Sequence, residues 1–373
     1  MDQIPAIPWN DLILTRELTL VAFEPVLEKN RSLITSVVKR SFQFGQTDRH
    51  YLDVYYPPTK AATEGPTPIL FFIYGGGFVS GDRGSGPPLG LGYGCLGSFF
   101  ARQGFLTVIP DYRLAPQHRY PSAIEDILQA IQWTVSNASE LVSSTTPSPG
   151  IDSLFVIGQS AGAVHLATFL FHPTLLPVDS DLRRRIKGVV LVSGIYHYFR
   201  TNENGPGIYE LHWGTEENAR ENSAVSLLIR SFAWLPKDKI PRLKFITAQF
   251  EPKWLIEENV RYRRLLEWHL EEPVEMDMVK DHNHISLGCA LSSGEGEEWG
   301  VQVADWMKGV NSSRVDIGRE GLLKDVEETD TVECPRCKHR RVRSFSIEIG
   351  TQSIRAKTFT ICLNCGNKWV EVA

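Results

Sequence analysis

The segment Gly158-Gln159-Ser160-Ala161-Gly162 constrains the fold of this chain more than any other. It follows the apolar run 154–157 and precedes a stretch of helix-forming residues that ends before Pro173. A serine between two glycines at a strand-to-helix junction is the nucleophile-elbow pattern, in which a very sharp turn pushes the hydroxyl clear of the backbone. The pattern predicts that a strand, a tight turn and a helix meet at Ser160.

Three consecutive glycines, Gly75, Gly76 and Gly77, follow a second apolar run at residues 69–74. Glycines let backbone N–H groups approach a ligand because no Cβ stands in the way. Acyl transfer needs such donors, since its transition state places negative charge on a former carbonyl oxygen. A flexible turn at the strand end is the alternative. With the serine elbow later in the chain, the glycines favour an oxyanion hole.

Roughly residues 40 to 310 resemble the α/β-hydrolases, and among them the esterase branch that includes hormone-sensitive-lipase-like enzymes and kynurenine formamidases. The resemblance lies in residues 74–78, 111–116, 158–162 and 281–284.

The family resemblance implies that Ser160 is the nucleophile and that the N–H groups of Gly76, Gly77 and Ala161 are the oxyanion donors. The family's glycine motif usually opens with histidine, where this chain has Tyr74. Because the donors are backbone groups, we expect the tyrosine to leave them in place.

A catalytic serine needs a histidine to take its proton and a carboxylate to orient that histidine, in the chain order serine, acid, histidine. Glu251 follows the strand-like run 243–248, where the resembling family usually has aspartate; a surface carboxylate is the alternative. Two histidines, His282 and His284, follow the run 274–279 and compete for the role of base. The resemblance favours His284, which directly precedes an apolar residue.

The first 310 residues alternate between strand-like and helix-like stretches. Strand-like runs occur at 51–56, 69–73, 106–109, 154–157, 189–192, 243–248 and 274–279, and helix-like stretches occur between them, as at 121–136 and 256–270. This alternation predicts an α/β fold with a doubly wound, mostly parallel sheet. Residues 1–40 and 196–235 do not fit the sheet. The second region is rich in aromatic residues, and we predict a helical cap over the site, whose rings either line a substrate pocket or pack the cap.

Four of the six cysteines form two C-x2-C pairs separated by 24 residues: Cys334, Cys337, Cys362 and Cys365. Two such pairs complete a tetrahedral sulfur site suited to Zn²⁺, and we expect the zinc to be structural. The hydrolase chemistry itself is expected to need no cofactor. Cys95 and Cys289 are predicted to be unmetallated thiols.

Residues 334 to 373 resemble the C-terminal zinc ribbon of transcription elongation factor TFIIS and of small RNA polymerase subunits. That family carries an Asp-Glu pair on its hairpin, but Ser353 and Ile354 occupy those positions here. Cleavage stimulation is therefore not expected. The ribbon carries eight Lys and Arg against two acidic residues, so nucleic acid or protein is a candidate partner. We predict a hydrolase domain over 1–310, a polar linker over 311–331 and the ribbon over 332–373.

Three classes of function follow from these patterns. The first is a serine hydrolase that cleaves small esters or aryl amides through Ser160, His284 and Glu251. The second is a transcription-linked or nucleic-acid-binding adaptor whose hydrolase body is a scaffold, and the third is an inactive hydrolase fold.

The chain begins with neither a basic segment nor a long apolar core. We therefore expect no signal peptide, no membrane partner and a cytoplasmic location, with the nucleus as the alternative.

Overall fold

A computed structural model describes residues 1–60, 65–84, 90–197, 207–310, 323, 325–349 and 355–372. The strands of its main sheet are β1 (Lys39–Gln43), β2 (Tyr51–Tyr55), β3 (Thr67–Ile73), β4 (Leu106–Pro110), β5 (Pro149–Gln159), β6 (Ile186–Val192), β7 (Arg242–Phe250) and β8 (Glu275–Asn283). Their spatial order is β1-β2-β4-β3-β5-β6-β7-β8. Strands β3 to β8 run parallel, and β1 and β2 are antiparallel additions at one edge.

The sheet is buried on both faces at its centre. Strand β4 is buried at every residue, and β3, β5 and β6 are each buried over at least five consecutive residues. Because successive side chains point to opposite faces, such runs require helices on both sides. The predicted doubly wound, mostly parallel sheet is confirmed.

The helices are α1 (Leu12–Lys29), α2 (Arg31–Thr35), α3 (Gly92–Arg102), α4 (Ser122–Ser136), α5 (Ala161–Phe171), α6 (Asp181–Arg185), α7 (Ile208–Trp213), α8 (Glu216–Glu221), α9 (Ala224–Ser231), α10 (Lys253–Leu270), α11 (Ser286–Cys289) and α12 (Glu298–Gly309). Helix α5 is buried at every residue, because the sheet, α4 and α9 surround it. None of the described helices is both long and apolar enough to cross a membrane.

Strand β1 departs from the prediction, which began the sheet at residue 51. It pairs antiparallel with β2 over five residues, and four of its five residues are exposed. Its sequence, Lys-Arg-Ser-Phe-Gln, has only one apolar residue. Edge strands carry such polar residues, so the apolar pattern that reveals buried strands is missing here.

The predicted cap corresponds to the segment between β6 and β7, which contains α7, α8 and α9. Tyr209 and Trp213 are buried against Phe78 and Ala161, and α9 packs on α5. The cap therefore packs directly on the elbow helix. Two of the predicted cap aromatics, Tyr198 and Phe199, lie outside the described residues.

A small antiparallel sheet lies at the end of the chain, as predicted. Its strands are β9 (Glu328–Thr329), β10 (Val342–Ile349), β11 (Arg355–Cys362) and β12 (Lys368–Val372), in the order β12-β11-β10-β9. Strand β9 lies within the segment predicted as a linker and pairs with β10. The domain boundaries remain a prediction, because residues 311–322 lie outside the described part of the chain.

Candidate active site

Ser160 lies at the junction of β5 and α5, where the sequence predicts a sharp turn. Its backbone has φ 54° and ψ −121°, a conformation that L-residues rarely adopt. The Ser160 N–H donates to the carbonyl of Val192 at the end of the neighbouring strand, at 2.8 Å. Such strain persists only where surrounding contacts impose it, and it is typical of functional sites.

The two glycines of the elbow are required by close backbone contacts. A Cβ on Gly162 would lie 2.1 Å from the Ile73 carbonyl oxygen, and one on Gly158 would lie 2.6 Å from the Gly162 carbonyl oxygen. Real Cβ atoms do not approach other atoms this closely. Gly162 therefore lets α5 pack against the end of β3, and Gly158 lets the turn approach the first residues of α5.

Replacing Gly162 with alanine is expected to lower the free energy of unfolding by about 1–3 kcal/mol, because an overpacked contact forces the backbone to move. The displaced atoms belong to Ile73 at the end of β3 and to Tyr74, which directly precedes the glycine loop, so ester hydrolysis should fall as well. Gly309→Ala is the matched control, since a Cβ there meets no atom within 4 Å. Urea unfolding measures both variants. Equal stability of the two proteins would contradict the steric argument.

The three glycines after β3 pass close to Ser160. A Cβ on Gly75 would lie 2.8 Å from the Ser160 Cβ, and one on Gly77 would lie 2.5 Å from Ile208 of α7. Gly76 and Gly77 have φ values of 131° and 58°. The loop is thus confined between the elbow and helix α7 of the cap.

The buried Tyr74, which directly precedes the glycine loop, is held in place by several hydrogen bonds. The Tyr74 hydroxyl donates to Asp111 Oδ1 at 2.8 Å, and the Tyr112 hydroxyl donates to the Tyr74 carbonyl at 2.7 Å. Arg49 donates to the Gly81 carbonyl and to the Tyr74 hydroxyl, each at 2.8 Å. Burial raises the pKa of Tyr74 well above its usual value, so the hydroxyl stays protonated as a donor. Sequence reasoning missed Arg49 and the bonds that Tyr74 makes, because the partners are distant in the chain.

The structure brings Glu251 and His284 together. Glu251 follows β7, His284 follows β8, and His284 Nδ1 lies 2.8 Å from Glu251 Oε1. The other carboxylate oxygen accepts from the backbone N–H of Ala248 at 3.1 Å. Both side chains are buried. A proton on Nδ1, held by the carboxylate, leaves the lone pair of Nε2 available as a base.

Gln159 connects the histidine segment to the elbow. Its side-chain amide donates to the His284 carbonyl at 2.8 Å, and Gln159 directly precedes Ser160. The bond joins residues 125 positions apart in the chain. Sequence reasoning missed this role, because nothing in the elbow motif specifies what the residue before the serine contacts.

His282 has a different environment. Its Nδ1 lies 3.1 Å from the Ser286 hydroxyl, and a Cβ on Gly296 would lie 2.7 Å from its Nε2. Burial lowers the pKa of His282, which favours the neutral ring. Asp281 is exposed, and its backbone N–H donates to Gln249. The two histidines are therefore distinguished by their partners: a carboxylate for His284 and a hydroxyl for His282.

The four cysteines of the C-terminal sheet converge. Their sulfur atoms all lie within 4.8 Å of one another, with 3.7 Å between Cys334 and Cys365 and 3.6 Å between Cys337 and Cys362. Zn–S bonds of about 2.3 Å in a tetrahedron place sulfur atoms about 3.8 Å apart, so the group fits a zinc ion. Cys95 and Cys289 are buried elsewhere as free thiols. Ser353 and Ile354 lie outside the described residues.

Comparison with known sequences places this chain near esterases. Residues 52–175, about a third of the chain, match the family model BD-FAE. A probable isoprenylcysteine alpha-carbonyl methylesterase of Oryza sativa subsp. japonica is 31% identical over 141 residues, 38% of this chain and 29% of that protein. Probable carboxylesterase 8 of Arabidopsis thaliana is 28% identical over 159 residues, 41% of this chain and 46% of that protein. The chain thus spans less than half the length of these curated relatives.

Solved structures agree on the fold. An arylesterase structure has a TM-score of 0.55 at 19% identity and covers 76% of this chain and 91% of its own. A structure of esterase B from Lactobacillus rhamnosis has a TM-score of 0.56 at 14% identity. The match covers 78% of this chain and 94% of that esterase. These likenesses show the α/β-hydrolase fold. The family match includes the glycine loop and the elbow but ends before Glu251 and His284.

Proposed function

We propose that this protein is a serine hydrolase that cleaves small carboxylic esters through a Ser160-His284-Glu251 triad and an acyl-enzyme. The observation that carries the proposal is the 2.8 Å contact between His284 Nδ1 and Glu251 Oε1, in a segment that Gln159 holds against the elbow. Glutamate replaces the aspartate usual in the resembling family and makes the contact that orientation of the base requires.

The reaction proceeds in two halves. The Ser160 hydroxyl attacks the ester carbonyl while His284 Nε2 takes its proton, and the resulting tetrahedral intermediate carries its charge on the former carbonyl oxygen. The N–H groups of Gly76, Gly77 and Ala161 stabilise that oxyanion. His284 then returns the proton to the leaving alcohol. A water molecule, deprotonated by the same histidine, hydrolyses the acyl-enzyme and releases the acid.

The helix that follows Ser160 supports the same assignment. Ala161 is the first residue of α5, and the first N–H groups of a helix have no partner within it. Their partial positive charge favours an anion at this position. The developing oxyanion would therefore meet the N-terminal end of α5 on one side and the glycine loop on the other.

The cap favours a small substrate. Phe78 follows the glycine loop and stacks on His212 at 4.4 Å between ring centroids, with Trp213 edge-on at 5.4 Å. These buried rings fill the space between the cap and α5 and form an apolar border to the site. Aryl or short acyl groups match such a border better than long chains do.

A substrate panel tests the proposal. We expect p-nitrophenyl acetate and butyrate to be hydrolysed faster than long-chain esters, and a fluorophosphonate to label Ser160. N-formylkynurenine, in the same panel, distinguishes an esterase from an aryl formamidase, which the sequence resemblance also allows. The printed names of the relatives describe esterases, so we expect the esters to be preferred. Failure to hydrolyse any ester, together with no labelling, would contradict the proposal.

We also propose that Cys334, Cys337, Cys362 and Cys365 hold one structural Zn²⁺ in a ribbon over residues 332–373, joined by residues 311–331 to a hydrolase domain over 1–310. The sulfur spacing supports this assignment. With four thiolate ligands the ion would have no open position for substrate, so the site would do no chemistry. Metal analysis of the purified protein should give one zinc per chain.

The surface of the ribbon gives little support to a nucleic-acid role. Several of its basic side chains already pair with carboxylates: Arg341 with Glu328, Arg340 and Lys338 with Glu333, and Lys368 with Glu271. Each of these carboxylates offsets part of the positive charge that would attract phosphates. The proposed function is therefore hydrolysis and not nucleic-acid binding.

A further inference from the structure

We propose that the partner of the metal-binding ribbon is helix α10 of its own chain, and that metal occupancy sets the stability of the β7–α10–β8 unit. This inference rests on the zinc site and the hydrolase function proposed above. The unit matters because Glu251 follows β7 and His284 follows β8, with α10 between them. Two members of the proposed triad therefore depend on the packing of one helix.

Trp268, near the end of α10, is the centre of the contact. Its indole N–H donates to the Thr360 carbonyl of β11 at 3.2 Å, and its ring meets Phe359 edge-on at 5.2 Å. On its other side the ring contacts Phe232, just after the cap helix α9, at 5.4 Å. Only 9% of Trp268 is exposed. Without the ribbon, a large apolar side chain would face solvent.

Lys368, at the start of β12, holds the C-terminal end of α10. Its ammonium donates to the Trp268 carbonyl at 2.9 Å, lies 3.0 Å from Glu271 Oε1 and sits 4.6 Å from the centroid of the Trp268 ring. The last carbonyls of a helix have no partner within the helix and carry partial negative charge. The half-buried Lys368 of the ribbon satisfies one of them.

Both contacts lie next to the proposed metal ligands. Thr360 is two residues before Cys362, and Lys368 is three residues after Cys365. The turn between these cysteines is closed by the Gly366 N–H donating to the Cys362 carbonyl at 2.8 Å and the Cys362 N–H donating to the Asn367 carbonyl at 2.9 Å. A small ribbon has too little core to hold this turn without its metal. Loss of the metal would therefore release both contacts together.

A separate contact precedes the ribbon and does not depend on the cysteines. Asp325 pairs with Arg263 at 2.7 Å and with Arg264 at 2.9 Å. Arg263 also bonds Glu267, which accepts from the backbone N–H of Val274 just before β8. This contact keeps the chain near α10 when the ribbon unfolds, so the metal-dependent effect should be confined to the end of the helix around Trp268.

The other half of α10 supports the loop behind the elbow. Glu258 lies 2.6 Å from His197 Nδ1, and Asn259 donates to the Gly194 carbonyl at 3.0 Å. An 18-residue helix is about 27 Å long, so the ribbon contacts the end of α10 far from Glu251. We therefore expect the ribbon to act on the stability of the unit and to leave the catalytic chemistry at low temperature unchanged.

The test compares three variants of the full-length protein. Cys337→Ser removes a ligand, Lys368→Met removes the contact with α10 but leaves the cysteines, and Lys357→Met makes the same change elsewhere in the ribbon. Zinc content, the thermal midpoint and hydrogen exchange over residues 263–270 are measured for each. We expect Lys368→Met to keep its zinc, to lose about 2–4 °C in the thermal midpoint and to exchange about tenfold faster in this segment.

Cys337→Ser should lose the zinc and show a larger fall in the thermal midpoint, and Lys357→Met should match the unchanged protein. Each protein should still react with the fluorophosphonate at 25 °C, which separates this inference from the assignment of Ser160. Absence of zinc from the unchanged protein would refute the metal site, and with it this inference. If the unchanged protein contains zinc but neither Cys337→Ser nor Lys368→Met alters hydrogen exchange at 263–270, this inference is wrong while the metal site stands.

Discussion

Replacing Ser160 with alanine is expected to lower kcat for p-nitrophenyl esters by about 10⁴-fold or more, because the proposed triad would act as a unit and lose its nucleophile. The folded state should hardly change. Ser160 keeps its unusual backbone through contacts of its neighbours and through its own N–H, which alanine retains. Urea unfolding should show a change of no more than about 0.5 kcal/mol.

Ser136→Ala is the matched control for this variant, since Ser136 is an exposed serine at the end of α4. It should keep both its turnover and its labelling by the fluorophosphonate. Mass spectrometry of the labelled, unchanged protein should locate the adduct on Ser160. Esterase activity that survives in Ser160→Ala would show that another group is the nucleophile.

His284→Ala should cost as much turnover as Ser160→Ala, again about 10⁴-fold. Without the imidazole, the serine hydroxyl has no base, and Glu251 loses the side chain that it orients. A double variant of Ser160 and His284 should lose no more activity than either single variant, because each change disables the same step. Initial rates on one short-chain ester, with protein at high concentration, measure all three.

His282→Ala is the control that separates the two neighbouring histidines. The ring of His282 contacts Ser286 and the backbone near Gly296, so its removal should reduce stability by about 1–3 kcal/mol and leave most of the turnover. Activity is therefore compared below the thermal midpoint of each variant. If His282→Ala lost activity as severely as Ser160→Ala while His284→Ala kept it, the role of base would move to His282.

Much of the architecture could be predicted from local patterns. Seven of the eight strands of the main sheet coincide with strand-like runs in the sequence. The central strands appear as apolar runs, because a parallel sheet with both faces covered buries every residue at its centre. Strand β8, at the other edge, appears as an alternation of polar and apolar residues. Strand β1 lacks such a run, since it lies exposed at the edge. The convergence of the four cysteines could also be predicted, because the ligand spacing of a metal site is a local property of each pair.

The support of the glycine loop could not be predicted in the same way. Tyr74 and Asp111 both lie in segments that the sequence makes conspicuous, yet nothing in either segment shows that the two side chains bond. Arg49 lies in a segment without any recognised motif and reaches both Tyr74 and the Gly81 carbonyl. These residues lie in loops next to different strands, and only the order and register of the sheet bring the loops together.

The relation between the ribbon and the hydrolase body differs most from expectation. A polar linker predicts two independent units, but Trp268, Lys368 and Asp325 join the end of α10 to the C-terminal segment. The polar composition of residues 311–331 indicates that this segment has no core of its own. Composition does not indicate which other residues the segment contacts. The docking depends on a buried indole and a half-buried ammonium from elements about 100 residues apart.

By itself, the sequence determined the strand-turn-helix at Ser160, the glycine loop and the cysteine pairs, because each depends on residues that are neighbours in the chain. Only the tertiary structure decided which histidine meets Glu251, what holds that histidine beside the elbow and what covers Trp268. A sharp turn is specified by the small residues that it needs, and a metal site by the spacing of its ligands, so both depend on a few neighbouring residues. A contact across 33 to 125 positions follows from how the whole sheet and its helices pack.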